Sequence, residues 1–102
     1  MKKKYALISL YNKEKIEQIC DTLIKYKIDI IATNSTSTYI NKCGFKCYRL
    51  DKFTKFQEIL DGRVKTLHPY IHASLLFDRE KKDHLKQFYN LNFPIIDFVI
   101  IN

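Results

Sequence analysis

Between Gly62 and Pro69 the chain places a guanidinium (Arg63), an ammonium (Lys65), a hydroxyl (Thr66) and an imidazole (His68) within six residues. Arginine offers forked donors suited to phosphate or carboxamide oxygens, lysine a mobile point charge, threonine a hydroxyl donor, and histidine a proton carrier near neutrality. Such a segment can hold an anion and move a proton. The bland alternative is an ordinary basic loop whose His68 hydrogen-bonds the backbone. A second cluster, Thr33, Asn34, Ser35 and Thr36, follows a short apolar run. At a strand-to-helix junction these residues would aim backbone N–H groups and hydroxyls at one point, as helix N-termini do when they bind phosphate, although plain capping uses the same residue types. Lys13, four residues past Ser9, adds a charge that can reach the same place.

Two other readings are weaker. The pairs Cys43/Cys47 and His68/His72 superficially resemble two halves of a zinc site. We expect none, because His72 falls in a segment that reads as a strand and the cysteines flank a third strand, where packing is the commoner role. A lysine-rich surface with fourteen aromatics could stack single-stranded nucleic acid, but no arginine-rich helix or RNA-binding motif accompanies it, and nucleic acid is not an expected partner.

The elements that must position these groups can be read from periodicity. Residues 5–10 form a nearly continuous apolar run, as expected of a strand buried on both faces. Ile16, Ile19, Cys20, Leu23 and Ile24 recur at helical spacing, predicting an amphipathic helix that starts near Asn12. A second strand spans 28–32, and a short helix carrying Tyr39 and Ile40 ends near Gly44. Weaker signals predict a third strand over 46–50 and a helical turn or two carrying Phe53, Phe56, Ile59 and Leu60 into the turn dipeptide Asp61-Gly62. Beyond it, 70–77 reads as a strand, 79–89 as a charged helix and 95–101 as a last β-branched strand. This alternation predicts an α/β sandwich with a parallel sheet and helices on both faces. Ligands in such sheets bind at the carboxyl ends of the strands, which selects residues 9–13, 33–37 and 101–102.

Composition bounds the possibilities. One hundred and two residues that are 46% hydrophobic make one domain with a single core's worth of apolar material. The formal charge of +7 favours anionic partners, although fifteen of the eighteen basic residues are lysine and a general bias toward Lys, Ile and Asn accounts for it equally well. Three cysteines without framework spacing and no apolar leader predict a reducing, cytoplasmic setting, and no apolar run approaches a membrane span.

Residues 61–69, Asp-Gly-Arg-Val-Lys-Thr-Leu-His-Pro, followed by His72, resemble the signature of the IMP cyclohydrolase domain of the bifunctional AICAR formyltransferase/IMP cyclohydrolases. Residues 6–13 resemble that family's first strand and its Ser-x-Ser-Asp-Lys loop. Residues 31–36 resemble its Ser/Thr-Gly-Gly-Thr phosphate loop, and residues 95–102 the strand ending in Asn-Leu-Tyr-Pro-Phe. Asn34 and Ser35 stand where the family has paired glycines, and Tyr11 where it has a second serine.

The resemblance implies a methylglyoxal-synthase-like, three-layer α/β sandwich with a mainly parallel sheet. It implies ring closure of 5-formamido-imidazole-4-carboxamide ribotide to IMP with loss of water, in purine biosynthesis and without a cofactor or metal. It makes Lys65 catalytic and places Tyr11, Asn12, Lys13, Thr33, Asn34, Ser35, Thr36, Arg63, Val64, Thr66, Ile101 and Asn102 against the ribotide, with His68 positioning the loop. Residues 1–102 correspond to the N-terminal part of the cyclohydrolase domain; the formyltransferase domain is absent, and a Tyr, an Asp and a Lys that complete the family's site fall beyond Asn102. A homodimer or a partner polypeptide is therefore expected. The competing reading is a non-catalytic nucleotide-binding or regulatory module of the same fold. Methylglyoxal synthase itself fits poorly, since the basic loop is not that enzyme's.

Overall fold

The computed structural model describes residues 3–55 and 68–101. The chain runs β1 (Lys4–Ser9), α1 (Ile16–Lys25), β2 (Ile28–Ala32), α2 (Asn34–Lys42), β3 (Tyr48–Arg49), α3 (Leu50–Thr54), α4 (Pro69–Leu76), α5 (Lys82–Tyr89) and β4 (Ile96–Ile101). The four strands form one parallel sheet in the order β3-β2-β1-β4.

Alternate residues of the central strands enter two separate cores, the physical meaning of a continuous apolar run. Ala6, Ile8, Ile28, Ile30 and Ala32 pack with Ile16, Cys20 and Leu23 of α1 and Ile40 of α2. Leu7, Ile31 and Ile96 pack on the other face with Leu50, Ile71, Phe88 and Phe93, which belong to α3, α4, α5 and the approach to β4. The chain steps from β1 to β2 to β3 in one direction, so right-handed crossovers put α1 and α2 on one face. It then returns past β1 to β4, and α3, α4 and α5 cover the opposite face. The result is the expected three-layer sandwich.

Several boundaries differ from the sequence reading. Residues 70–77 are not a strand: 70–76 lie in α4 and Phe77 is its C-cap, and the start of the helix is set by His68 at the N-cap and Pro69 in the first turn. The His68 Nδ1 accepts a hydrogen bond from the Tyr70 N–H at 3.1 Å, and proline is pre-organised for a first helical position. Ile71 and Ser74, three apart, are the buried residues of this helix. His72, expected in a strand, is an exposed helical residue. Helix α1 starts at Ile16 rather than near Asn12, because Asn12 Oδ1 accepts from the Glu14 N–H at 2.9 Å and forms a local turn instead. Strand β3 is only two residues long, and α5 starts at Lys82 after a turn at 79–80. The helical turn expected around Phe56, Ile59 and Leu60 lies outside the described residues beyond α3.

Gly44 sits at φ +93° just past α2, where its N–H bonds the Asn41 carbonyl and the Phe45 N–H bonds the Ile40 carbonyl. This is a Schellman closure that needs a left-handed residue. Strand β4 is held by Ser74, whose hydroxyl donates to the Pro94 carbonyl and accepts from the Ile96 N–H, both at 2.9 Å.

Cys20 is fully buried on α1, and burial, reinforced by the nearby Cys47 and Cys43 thiols, pushes its thiol from 9.0 up to about 11. Below pH 9.0 the thiol is neutral in both states. Above it the unfolded chain ionises first, so stability falls with rising pH until the folded thiol also titrates near 11. Tyr5, Cys43 and Cys47 are also raised, chiefly by burial. The difference between parent and Cys20→Ala isolates one group: the parent's advantage in denaturation midpoint is expected to shrink across this window, and a constant difference would contradict the assignment.

Candidate functional site

Register places the ends of three strands together. Ile8 pairs with Ala32 on one side and Ile100 on the other, and Ser9 pairs with Ile101. The loops leaving β1 and β2 and the end of β4 therefore share one sheet edge. Because the chain leaves β1 toward β2 and later returns to its other side, β1 and β4 bound a topological switch point, where α/β sheets open a crevice. A cleft of about 300 Å³ lies there, with Leu10, Asn12, Lys15, Ile19, Ile100 and Ile101 among its lining.

On the other side of β1, the start of α2 is tied to the end of that strand. Thr36, 1% exposed, accepts from the Leu10 N–H at 3.2 Å and donates to the Leu10 carbonyl at 3.4 Å through the same hydroxyl. Lys13 donates its ammonium to that carbonyl at 3.1 Å. A cation from the first loop and a hydroxyl from the second thus meet at one oxygen. Thr33 is the N-cap of α2, yet its side chain does not cap the helix: its hydroxyl donates to Ser9 Oγ at 3.2 Å. Its carbonyl accepts the first helical bond, from the Ser37 N–H at 2.7 Å. The N–H groups of Asn34, Ser35 and Thr36 consequently have no partner among the described residues, leaving a donor cluster at the positive end of a helix beside the Lys13 ammonium.

Asn34 and Ser35 occupy the first turn of α2, and neither is among the positive-φ residues, which among the described residues are Lys27, Lys55, Asn92 and Gly44. No glycine is needed there for backbone conformation. What their side chains change is how closely an anion can approach the N–H groups. Tyr11 is 96% exposed, so its ring extends outward rather than filling the strand-end cluster. Ile101, 66% exposed, borders the cleft on the far side of β1.

The structure therefore gathers Tyr11, Asn12, Lys13, Thr33, Asn34, Ser35, Thr36 and Ile101 along one edge. Arg63, Val64, Lys65, Thr66 and Asn102 lie outside the described residues. His68 is a helix cap whose ring meets Tyr70 edge-on at 5.1 Å, and Tyr70 in turn approaches Phe93, ahead of β4 rather than at its end. Two members of the 9–13 segment had no role assigned from the sequence: Ser9, which diverts Thr33 from capping, and the Leu10 backbone, which collects Lys13 and Thr36. A serine ending an apolar strand was the available signal for the first; nothing in the sequence marks a backbone carbonyl.

Thr36→Val keeps the shape of the side chain but strands the buried Leu10 N–H. It is expected to cost about 1–3 kcal/mol, the usual penalty for an unpaired buried group, and to loosen the anion cluster. Urea denaturation checks the first effect, and a cost within error of zero would refute the structural role of that hydroxyl.

A parallel sheet with its switch point between β1 and β4 and a polar strand-end loop at α2 defines the class: residues 15–102 match the MGS-like domain model, and the chain belongs to that family. Its curated relatives include the bifunctional purine biosynthesis protein PurH of Clostridium botulinum, 39% identical over 98% of this chain and 20% of that protein, and PurH of Leptospira biflexa, 43% identical over 97% and 19%. PurH of Halalkalibacterium halodurans is 41% identical over 98% and 20%. The match falls on the N-terminal region of PurH, and the chain spans about a fifth of the length of these relatives. Among solved structures, ForH superposes with a TM-score of 0.83 at 25% identity, covering 98% of this chain and 52% of that one. No helix among the described residues is long and apolar enough to cross a membrane.

Proposed function

We propose that this chain binds a purine ribotide at the carboxyl ends of β1, β2 and β4 and contributes to IMP cyclohydrolase chemistry, the closure of 5-formamido-imidazole-4-carboxamide ribotide to IMP with loss of water. The observation that carries the reading is the uncapped start of α2. Thr33 turns to Ser9, three backbone N–H groups are left for an anion, and the Lys13 ammonium lies alongside. A ribotide phosphate suits this cluster, with the base and ribose directed along the edge toward Tyr11, Asn12, Ile101 and Asn102. The similarity to PurH over nearly the whole chain supports the substrate class.

The reaction sets the remaining roles. A carboxamide nitrogen is a poor nucleophile, so it must be held against the formyl carbon, the oxyanion formed on attack must be stabilised, and the departing hydroxyl must receive a proton. Arg63, Val64 and Thr66 are assigned to holding the base and carboxamide, and Lys65 to the oxyanion and the proton. No step calls for a cofactor.

A second reading, ribotide binding without turnover, is favoured by the character of the described cluster, which gathers anion donors. Calorimetric titration with IMP, with ultraviolet-monitored cyclisation of the formamido ribotide in parallel, separates the two. Binding with turnover supports the cyclohydrolase, binding alone supports the module, and absence of affinity for any ribotide overturns both.

A further inference from the structure

Between the end of α2 and α3, alongside β3, lies a cleft of about 560 Å³. Asn41 and Tyr48 line one part of it, and Arg49, Asp51, Lys52 and Lys55 the other. Its charge is lopsided. Asp51 is the one carboxylate among the lining residues, and Arg49 holds it at 2.7 Å. The Lys52 and Lys55 ammonium groups pair with no carboxylate among the described residues. Lys46 adds a third cation close by: it and Lys52 lie 5.2 and 6.0 Å from the centre of the same Tyr48 ring.

The fold gains little from gathering these charges. Lys52 and Lys55 are three positions apart on a five-residue helix and its C-cap, a spacing at which like charges repel. Lys55 also has a φ of +58°, the left-handed conformation that closes α3 with its N–H on the Asp51 carbonyl at 2.7 Å. Glycine or asparagine takes that conformation more readily than lysine, so the ammonium is present despite the backbone rather than because of it. Nor does the ribotide cluster use these residues: register sets Arg49 beside Ala32, on the far side of β2 from β1.

We propose that this cleft binds a nucleoside polyphosphate at a site separate from the ribotide cluster, with the phosphates held by Arg49, Lys52 and Lys55 and the nucleoside against Tyr48 and Asn41. A chain of phosphates is the anion that several cations spaced along one wall can share, and a guanidinium fork suits its oxygens. Asp51 aligns the Arg49 guanidinium through one nitrogen and leaves its other N–H groups to the ligand. The Asn41 amide offers both a donor and an acceptor to a base edge, and the Tyr48 ring gives it an aromatic surface. The cleft volume falls within the roughly 300–1,000 Å³ of small-molecule sites. The inference does not rest on the ribotide reading.

Calorimetric titration of the 102-residue chain with ATP, and separately with tripolyphosphate, tests it. The expected result is one site for ATP, weakened about 10-fold by Lys52→Gln and by a similar factor in Lys55→Gly, the scale of a lost charge-assisted hydrogen bond. Lys55→Gly is the decisive variant: glycine suits a φ of +58° and leaves the fold at least as stable, so lost affinity there cannot come from lost structure. Asn41→Ala should weaken ATP and leave tripolyphosphate unchanged, and Lys13→Ala should leave both unchanged. No affinity for ATP, or an affinity indifferent to Lys52→Gln and Lys55→Gly, overturns the proposal. Affinity lost in Lys13→Ala assigns the nucleotide to the start of α2 and overturns it too. Tripolyphosphate binding as tightly as ATP overturns the nucleoside contacts.

Discussion

Lys65→Ala is expected to lower cyclisation of the formamido ribotide by about 100- to 10,000-fold, the range over which a positioned proton donor or oxyanion partner acts. Binding of IMP should change far less, because the product carries no developing oxyanion and its phosphate is assigned to the α2 cluster with Lys13. That split between turnover and affinity distinguishes a chemical role from a general loss of positive charge. Lys65→Arg supplies the second comparison. It keeps the charge but cannot hand over a proton at neutral pH, so it should restore binding fully and turnover poorly. Turnover retained in Lys65→Ala would remove Lys65 from the chemistry and return the 62–69 segment to the status of a basic loop. Lys13→Ala should behave in the opposite way, since its ammonium sits with Thr36 at the Leu10 carbonyl: affinity falls first, and turnover recovers at saturating ribotide.

The largest effect on stability is expected at Ile31. Its side chain is fully buried in the sheet, in register with Leu7 on one side and Tyr48 on the other. Ile31→Ala removes three carbons from a core that cannot close over the gap, a change that typically costs about 2–5 kcal/mol. Against the 5–15 kcal/mol by which domains of roughly this size are stable, that is enough to leave a substantial unfolded fraction at elevated temperature. Ile101→Ala is the matched control: the same truncation on an exposed side chain should stay within about 0.5 kcal/mol. If the two variants shifted the urea midpoint equally, the two-core arrangement of the sheet would be wrong. Ile101 is also a proposed ribotide contact, so its variant should weaken binding without weakening the fold.

Much of this protein was legible in one dimension. The 28–32 strand, the apolar run ending near Ser9 and the end of α2 before Gly44 follow from local rules: period, β-branching and the need for a left-handed residue at a helix terminus. The meeting of the strand-end loops at one end of the sheet also followed, because parallel strands joined by helices bring their carboxyl ends together. Local rules misplaced 70–77, where tyrosine, isoleucine and phenylalanine suggested a strand. The propensities of those residues were outweighed by a capping histidine, a first-turn proline and the fit of Ile71 and Ser74 against the second core. What no local rule contains is which groups meet across the fold. Thr36 reaches the end of β1 across 26 positions of sequence, and Thr33 abandons its cap for a serine 24 positions away. Those bonds exist because β1 and β2 lie side by side in one register, and register is fixed by burying apolar residues on both faces at once. Sequence determined the elements and the chemistry available to them; only the packed sheet decided that a lysine, two threonines and an open helix start would share one point.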